Sequence, residues 1–133
     1  MKRSPMVDVV IPCYNVGHIV EKCVNSIISQ EYDNTVKIYI INDGSIDDTA
    51  DILESFISNE NISVIHHKKN KGLAATRNTG IKAGVGEVIC FLDSDMLVQP
   101  NWVKSHIRVL SEKCIVGVIG DSKFPEGEAA NKL

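Results

Sequence analysis

The chain has 133 residues, enough for one domain with a core of its own and no need of disulfide or zinc staples. An apolar share of 44%, a charged share of 23% and a net charge of −3 describe an ordinary soluble globular domain, without the basic surface that a nucleic-acid partner requires. Cys13, Cys23, Cys90 and Cys114 show no metal-site spacing. Cys23, Cys90 and Cys114 read as buried free thiols of a reducing compartment, while Cys13 lies beside the presumed site with no histidine near it in sequence, which disfavours a catalytic role.

Residues 7–12 form a short β-branched run, followed by turn material at Tyr14-Asn15 and Gly17. Ile19, Cys23, Val24, Ile27 and Ile28 then recur at helical spacing. A second strand is expected over 36–41, ending at Asn42-Asp43-Gly44-Ser45. Ser45 or Asp47 is placed to cap the next helix, whose apolar stripe is Ala50, Leu53, Phe56 and Ile57. Asp47, Asp48 and Thr49 suit the positive end of that helix. A third strand over 62–65 leads to His66-His67 and to Lys68, Lys69 and Lys71. The histidines lack a metal-ligand companion in sequence and read as structural; the lysines read as a solvated strand end.

A helix over about 73–83 follows, ended by Gly84 and Gly86. Residues 88–92 make a fourth strand. Pro100 stands where a first helical turn tolerates proline, ahead of the apolar face Trp102, Val103, Ile107 and Leu110. A fifth strand is expected over 115–119, and a frayed tail from about residue 122. No segment approaches the length of a membrane span, and the run after Lys2-Arg3 is broken by Asp8 and Pro12, so no signal-peptide core forms. A cytoplasmic location is expected. Attachment at the periphery of the inner membrane face, through sequence outside this chain, stays open.

Strands this uniformly apolar, alternating with helices, imply an α/β domain with a parallel sheet covered on both faces. The C-terminal ends of the strands then share one edge, where ligands of open α/β sheets bind at the topological switch point. Three polar clusters fall on that edge: Cys13-Tyr14-Asn15, Asn42-Asp43 and Asp93-Ser94-Asp95. The last is the most telling. Two carboxylates where a buried strand meets a loop are costly unless something satisfies them, and a hard divalent cation with a phosphate behind it is the usual partner. If the strand stays extended, Asp93 and Asp95 face one way. There is no G-x-x-x-x-G-K-[ST] and no G-x-G-x-x-G after the first strand, and that strand ends without a carboxylate. P-loop enzymes, dinucleotide folds and phosphoaspartyl proteins are thereby disfavoured.

Four segments in order resemble family 2 glycosyltransferases of the GT-A class: Val9-Val10-Ile11-Pro12-Cys13-Tyr14-Asn15; Asn42-Asp43-Gly44-Ser45-Ile46-Asp47-Asp48-Thr49; Asn70-Lys71-Gly72 through Arg77-Asn78; and Gly86-Glu87 through Asp93-Ser94-Asp95. The resemblance implies a Rossmann-like GT-A sheet, cut off after its donor-binding half, with residues 1–133 forming the N-terminal portion of the domain. It implies transfer of a sugar from a nucleotide diphosphate sugar, UDP by family frequency, to an acceptor hydroxyl of a glycan or lipid-linked acceptor, with inversion. On the same ground Pro12, Tyr14, Asn15, Asp43, Arg77, Asp93 and Ser94 would meet the nucleotide, with Asp43 on the base. Asp95, with Asp93, would hold Mn²⁺ or Mg²⁺. The general base is expected beyond Leu133. The blander roles are a turn aspartate for Asp43, a core-rim cap for Tyr14 and a solvated helix arginine for Arg77. Loss of the acceptor half would expose an apolar surface near the fourth and fifth strands, and a homo-oligomer stays open. A non-catalytic nucleotide-sugar-binding module is the alternative.

Overall fold

The computed structural model describes residues 3–123. Its elements run β1 (Val7–Cys13), α1 (Val20–Ile28), β2 (Val36–Asn42), α2 (Thr49–Glu54), β3 (Ile62–His66), α3 (Leu73–Ala83), β4 (Val88–Phe91) and α4 (Trp102–Leu110). The four strands form one parallel sheet in the order β3-β2-β1-β4. The chain therefore winds outward from β1 through β2 to β3, then returns to place β4 on the other side of β1. The switch point lies between β1 and β4, where the crossovers diverge and leave a crevice.

Every residue of β1 is buried, as a central strand requires. Val7, Val9, Ile11 and Cys13 point to one face and pack with Val20, Cys23, Val24 and Ile27 of α1, Leu53 of α2 and Val103 of α4. Val10, Tyr39 and Ile41 point to the other face, where α3 lies. That helix comes unusually close: a β-carbon on Gly80 would stand 2.3 Å from a Val10 methyl. Asp8, also on the α3 face, is 2% exposed, and its Oδ2 accepts the Gly86 N–H at 2.6 Å. This bond anchors the turn between α3 and β4, and the same carboxylate leaves no room for side chains at Gly84 and Gly86.

The expected fifth strand is absent from the described residues. Residues 115–119 have no ladder partner, and Val116 and Ile119 are fully exposed. Gly117 weakens the run as a strand. Cys114 turns the chain at φ 68°, and Gly120 lies against the His106 ring of α4 instead of the free edge of β4. Cys114 is exposed, against the expectation that it, like Cys23 and Cys90, is a buried thiol. Pro100 stands one residue before the α4 N-cap, Asn101, and so precedes the first turn. The expected frayed tail lies almost entirely outside the described residues. Ile89 and Phe91 of β4 face the α3 side, where only the Arg77 side chain of that helix reaches over Phe91, and they are 39% and 45% exposed, an apolar surface beside the fourth strand as expected.

Candidate donor site

Register sets the site. Cys13 pairs with Asn42, and Asn42 pairs with His66, so Tyr14, Asp43 and His67 leave three adjacent strands at one level. The ladder runs one step further through Asp43 N–H to Cys13 O and His67 N–H to Asn42 O, at 2.8 and 2.9 Å. A cavity of about 220 Å³ opens there, lined by Pro12, Tyr14, Asp43, Asn70, Leu73 and Thr76 among others. It is small for a whole ligand and sized for one flat ring system. A larger hollow of about 430 Å³, at Tyr32–Val36 and Asn61, lies at the opposite edge of the sheet, away from the carboxylate pair.

Asp43 is 3% exposed, yet it is not the turn residue its position before Gly44 suggests. Asn42 takes that part, accepting the Ser45 N–H on Oδ1 at 3.2 Å. Asp43 reaches across instead. Its Oδ1 accepts from His67 Nδ1 at 2.6 Å and from Lys71 N–H at 2.9 Å, and its Oδ2 accepts from Gly72 N–H at 2.9 Å. Gly72 adopts φ 90°, a left-handed backbone that presents this N–H at the start of α3. Burial alone would raise the Asp43 carboxyl, but these donors outweigh it and hold the group below the usual carboxylate range.

The loops after β1 and β2 are stitched together. Asn15, at φ 51°, accepts the Ile46 N–H on its amide oxygen, and its own N–H goes to Ser45 Oγ. Asp47 accepts from Thr49 N–H and Oγ–H and from Gly17 N–H, which holds its carboxyl low, chiefly through the Thr49 hydroxyl. Thus Asp47 serves the start of α2, while Ser45 serves the neighbouring loop. These bonds leave Tyr14 at the cavity mouth with its side chain half-exposed.

Across the switch point, β4 ends at Phe91, and residues 93–96 form a turn closed by Met96 N–H to Asp93 O at 3.0 Å. The alternation expected of an extended Asp93-Ser94-Asp95 therefore does not apply. Both carboxylates are exposed on the turn, and Ser94 is buried beneath them. Asp93 Oδ1 accepts from Arg77 of α3 at 3.2 Å. That guanidinium also lies 5.7 Å over the Phe91 ring, and its buried Nε has no partner among the described residues. The pair is solvent-accessible on both sides and contributes at most about 1 kcal/mol. Burial pushes the Cys13 thiol up to about 12, which favours the neutral thiol over the nucleophilic thiolate. Among the described residues no group of three or more potential ligands could hold a metal by itself. Two exposed carboxylates do suit a hard cation that takes its remaining ligands from phosphate and water.

The structure thus brings Pro12, Tyr14 and Asp43 to one cavity and joins Arg77 to Asp93. It turns the Asn15 amide oxygen to the next loop and puts Asp95 on the switch-point turn. Asn70, Leu73 and Thr76 had not been singled out. Asn70 was legible within its motif, whereas Leu73 and Thr76 become visible only once α3 is placed.

The family described as Glycosyl transferase family 2 matches residues 8–132. The putative glycosyltransferase EpsH of Bacillus subtilis (strain 168) is 36% identical over 111 residues, which are 84% of this chain and 32% of that protein. Glycosyltransferase GlyG of Streptococcus pneumoniae serotype 4 is 36% identical over 119 residues, 89% of this chain and 39% of that protein. This chain therefore spans about a third to two-fifths of these relatives. Among solved structures, S. aureus TarS 1-349 in complex with UDP-GlcNAc superposes with a TM-score of 0.71 at 26% identity, covering 78% of this chain and 30% of that one.

Proposed function

This chain belongs to glycosyl transferase family 2, and we propose that its sheet edge between β1 and β4 is the donor site of an inverting sugar transfer from a nucleotide diphosphate sugar to an acceptor hydroxyl. The observation that carries this reading is that Tyr14 and Asp43 line one cavity at the C-terminal edge of the sheet, while the turn at Asp93-Ser94-Asp95 leaves β4 on the same edge and is tied by Arg77 to the helix that walls the cavity. The base enters the cavity against Tyr14 and meets the remaining lone pair of the Asp43 carboxylate. The diphosphate then extends toward Asp93 and Asp95, with Arg77 beside it. UDP is favoured as the nucleotide, a choice supported by the UDP-GlcNAc complex of TarS.

Asp95, with Asp93, would hold Mn²⁺ or Mg²⁺, and a bound cation there would neutralise charge growing on the diphosphate leaving group. The chain's own residues do the rest of the donor-side work. Arg77 orients Asp93 through its ion pair, Pro12 and Tyr14 shield one side of the base, and Ser94 supports the turn from below. Deprotonation of the acceptor would fall to a carboxylate general base, a role given to none of the described residues. A cytoplasmic, membrane-peripheral setting and a glycan or lipid-linked acceptor belong to the same proposal. A second reading, donor binding without turnover by this stretch alone, is favoured by the exposed Ile89 and Phe91.

Calorimetric titration of UDP with and without Mn²⁺, repeated on Asp95→Asn, tests the site. Mn²⁺ is expected to tighten binding at least about tenfold, and the substitution to remove that gain. Metal-independent affinity with a silent substitution would refute the metal assignment. No binding of any nucleotide diphosphate would refute the donor site.

A further inference from the structure

We infer that His67 is a positioning residue of the donor site, holding the Asp43 carboxylate fixed as the acceptor that a nucleobase N–H meets; this rests on the donor-site reading above. The register already places the two residues side by side, one step beyond the paired Asn42 and His66, on the face covered by α3. Their side chains are 6% and 5% exposed, and Nδ1 stands 2.6 Å from Asp43 Oδ1. The far end of the ring is held too. Nε2 lies 2.9 Å from Thr79 Oγ1 in the middle of α3, and the Thr79 hydroxyl donates its proton to Ala75 O at 3.0 Å. The carboxylate can only accept, so His67 donates from Nδ1, while the contact of Nε2 with the Thr79 oxygen holds the far end of the ring.

The consequence is mechanical. The ring is a strut between the sheet edge and α3, and Asp43 is its sheet-side end. Lys71 and Gly72 N–H groups fix two further lone pairs. The Thr76 hydroxyl also stands beside the carboxylate but donates its proton to Gly72 O at 2.8 Å, so three donors on a group with about four acceptor positions leave one position, on Oδ2, for the ligand. Without the ring, Oδ1 keeps only the Lys71 N–H, and the carboxylate is free to turn. A fixed acceptor distinguishes bases by chemistry. Uracil offers N3–H, whereas cytosine offers an N3 lone pair that an ionised carboxylate repels.

The test compares UDP and CDP affinities on the full chain. The wild type is expected to prefer UDP about tenfold or more, as one buried charge-assisted hydrogen bond allows. His67→Leu should bring the ratio close to one, and His67→Asn, whose amide nitrogen takes the place of Nδ1, should restore most of it. Thr79→Val, which releases the other end of the ring, should lower the ratio about threefold. If His67→Leu does not fold, Thr79→Val still decides the matter. An unchanged ratio in His67→Leu or in Thr79→Val, or an equal loss for both nucleotides, overturns the inference. No preference in the wild type would refute the base contact of Asp43. The strut is read separately by ¹⁵N-edited NMR of the nucleotide-free protein. It predicts an N–H signal on His67 Nδ1 that moves in Asp43→Asn; a bare Nδ1 overturns the strut without reference to any nucleotide.

Discussion

Gly80→Ala is the sharpest structural perturbation available. In a solvent-facing helix this change gains about 1 kcal/mol from intrinsic propensity. Here the new β-carbon would stand 2.3 Å and 2.9 Å from the two Val10 methyls and 3.2 Å from the Val10 Cβ. Carbon atoms settle at about 3.5–4.0 Å, so the helix must retreat by roughly 1 Å or more. Val10 cannot give way: it is fully buried in a strand paired on both sides. Overpacking of this kind costs about 1–3 kcal/mol, and after the propensity gain the net destabilisation is about 1 kcal/mol. The second partner tests the cause. Val10→Ala removes the obstructing methyls, so the double substitution should be less destabilised than the sum by about 1 kcal/mol. Urea unfolding of the four proteins measures the cycle. Stabilisation by Gly80→Ala, or strict additivity with Val10→Ala, would refute the close packing of α3 on β1. With it would fall the positions of Thr76, Arg77 and Thr79, which the helix carries to the site.

Acid should weaken the fold through Asp43. Its carboxyl is held below the unfolded value of about 3.9, so this contribution is fully present above that pH and is lost as pH falls through the lower folded value. Chemical unfolding between pH 5 and 2 should show this loss, and Asp43→Asn should flatten it. Thiol labelling at neutral pH should modify one cysteine only, Cys114. Cys13 and Cys23 are buried with thiols pushed up to about 12, and Cys90 to about 11. Mass spectrometry after brief iodoacetamide treatment counts the adducts, and rapid labelling of Cys13 would contradict its burial beside the site.

The positions of seven of the eight elements within two residues, and the edge on which the site lies, were legible because apolar runs were strong in β1, β2, β3 and β4, helical periodicity was strong in α1 and α4, and glycines marked the end of α3. The stripe that foresaw α2 ran through Phe56 and Ile57, but the helix stops at Glu54 and Ile57 is 57% exposed. The run at 115–119 has the composition of a strand. Whether it joins a sheet depends on a partner edge, which local sequence does not encode. At the site, the motif order located Tyr14, Asp43, Arg77 and Asp93. What sequence could not show was the division of labour between neighbours. Asn42 caps the turn and frees Asp43 for the cavity, and His67, read only as structural, becomes the partner of that carboxylate through register alone. Asp8 is the same kind of case. A carboxylate inside β1 looks like an interruption until Gly84 and Gly86 close on it from a turn 78 residues away.

The central claim is that the β1/β4 edge of this sheet receives a nucleotide diphosphate. Amide chemical-shift mapping during a UDP titration in the presence of Mg²⁺ tests it most directly. The account predicts that the largest changes fall on Tyr14, Asp43, Gly72 and the turn at 93–96. Changes centred on the larger hollow at Tyr32–Val36 and Asn61, or no localised change at saturating UDP, would contradict it.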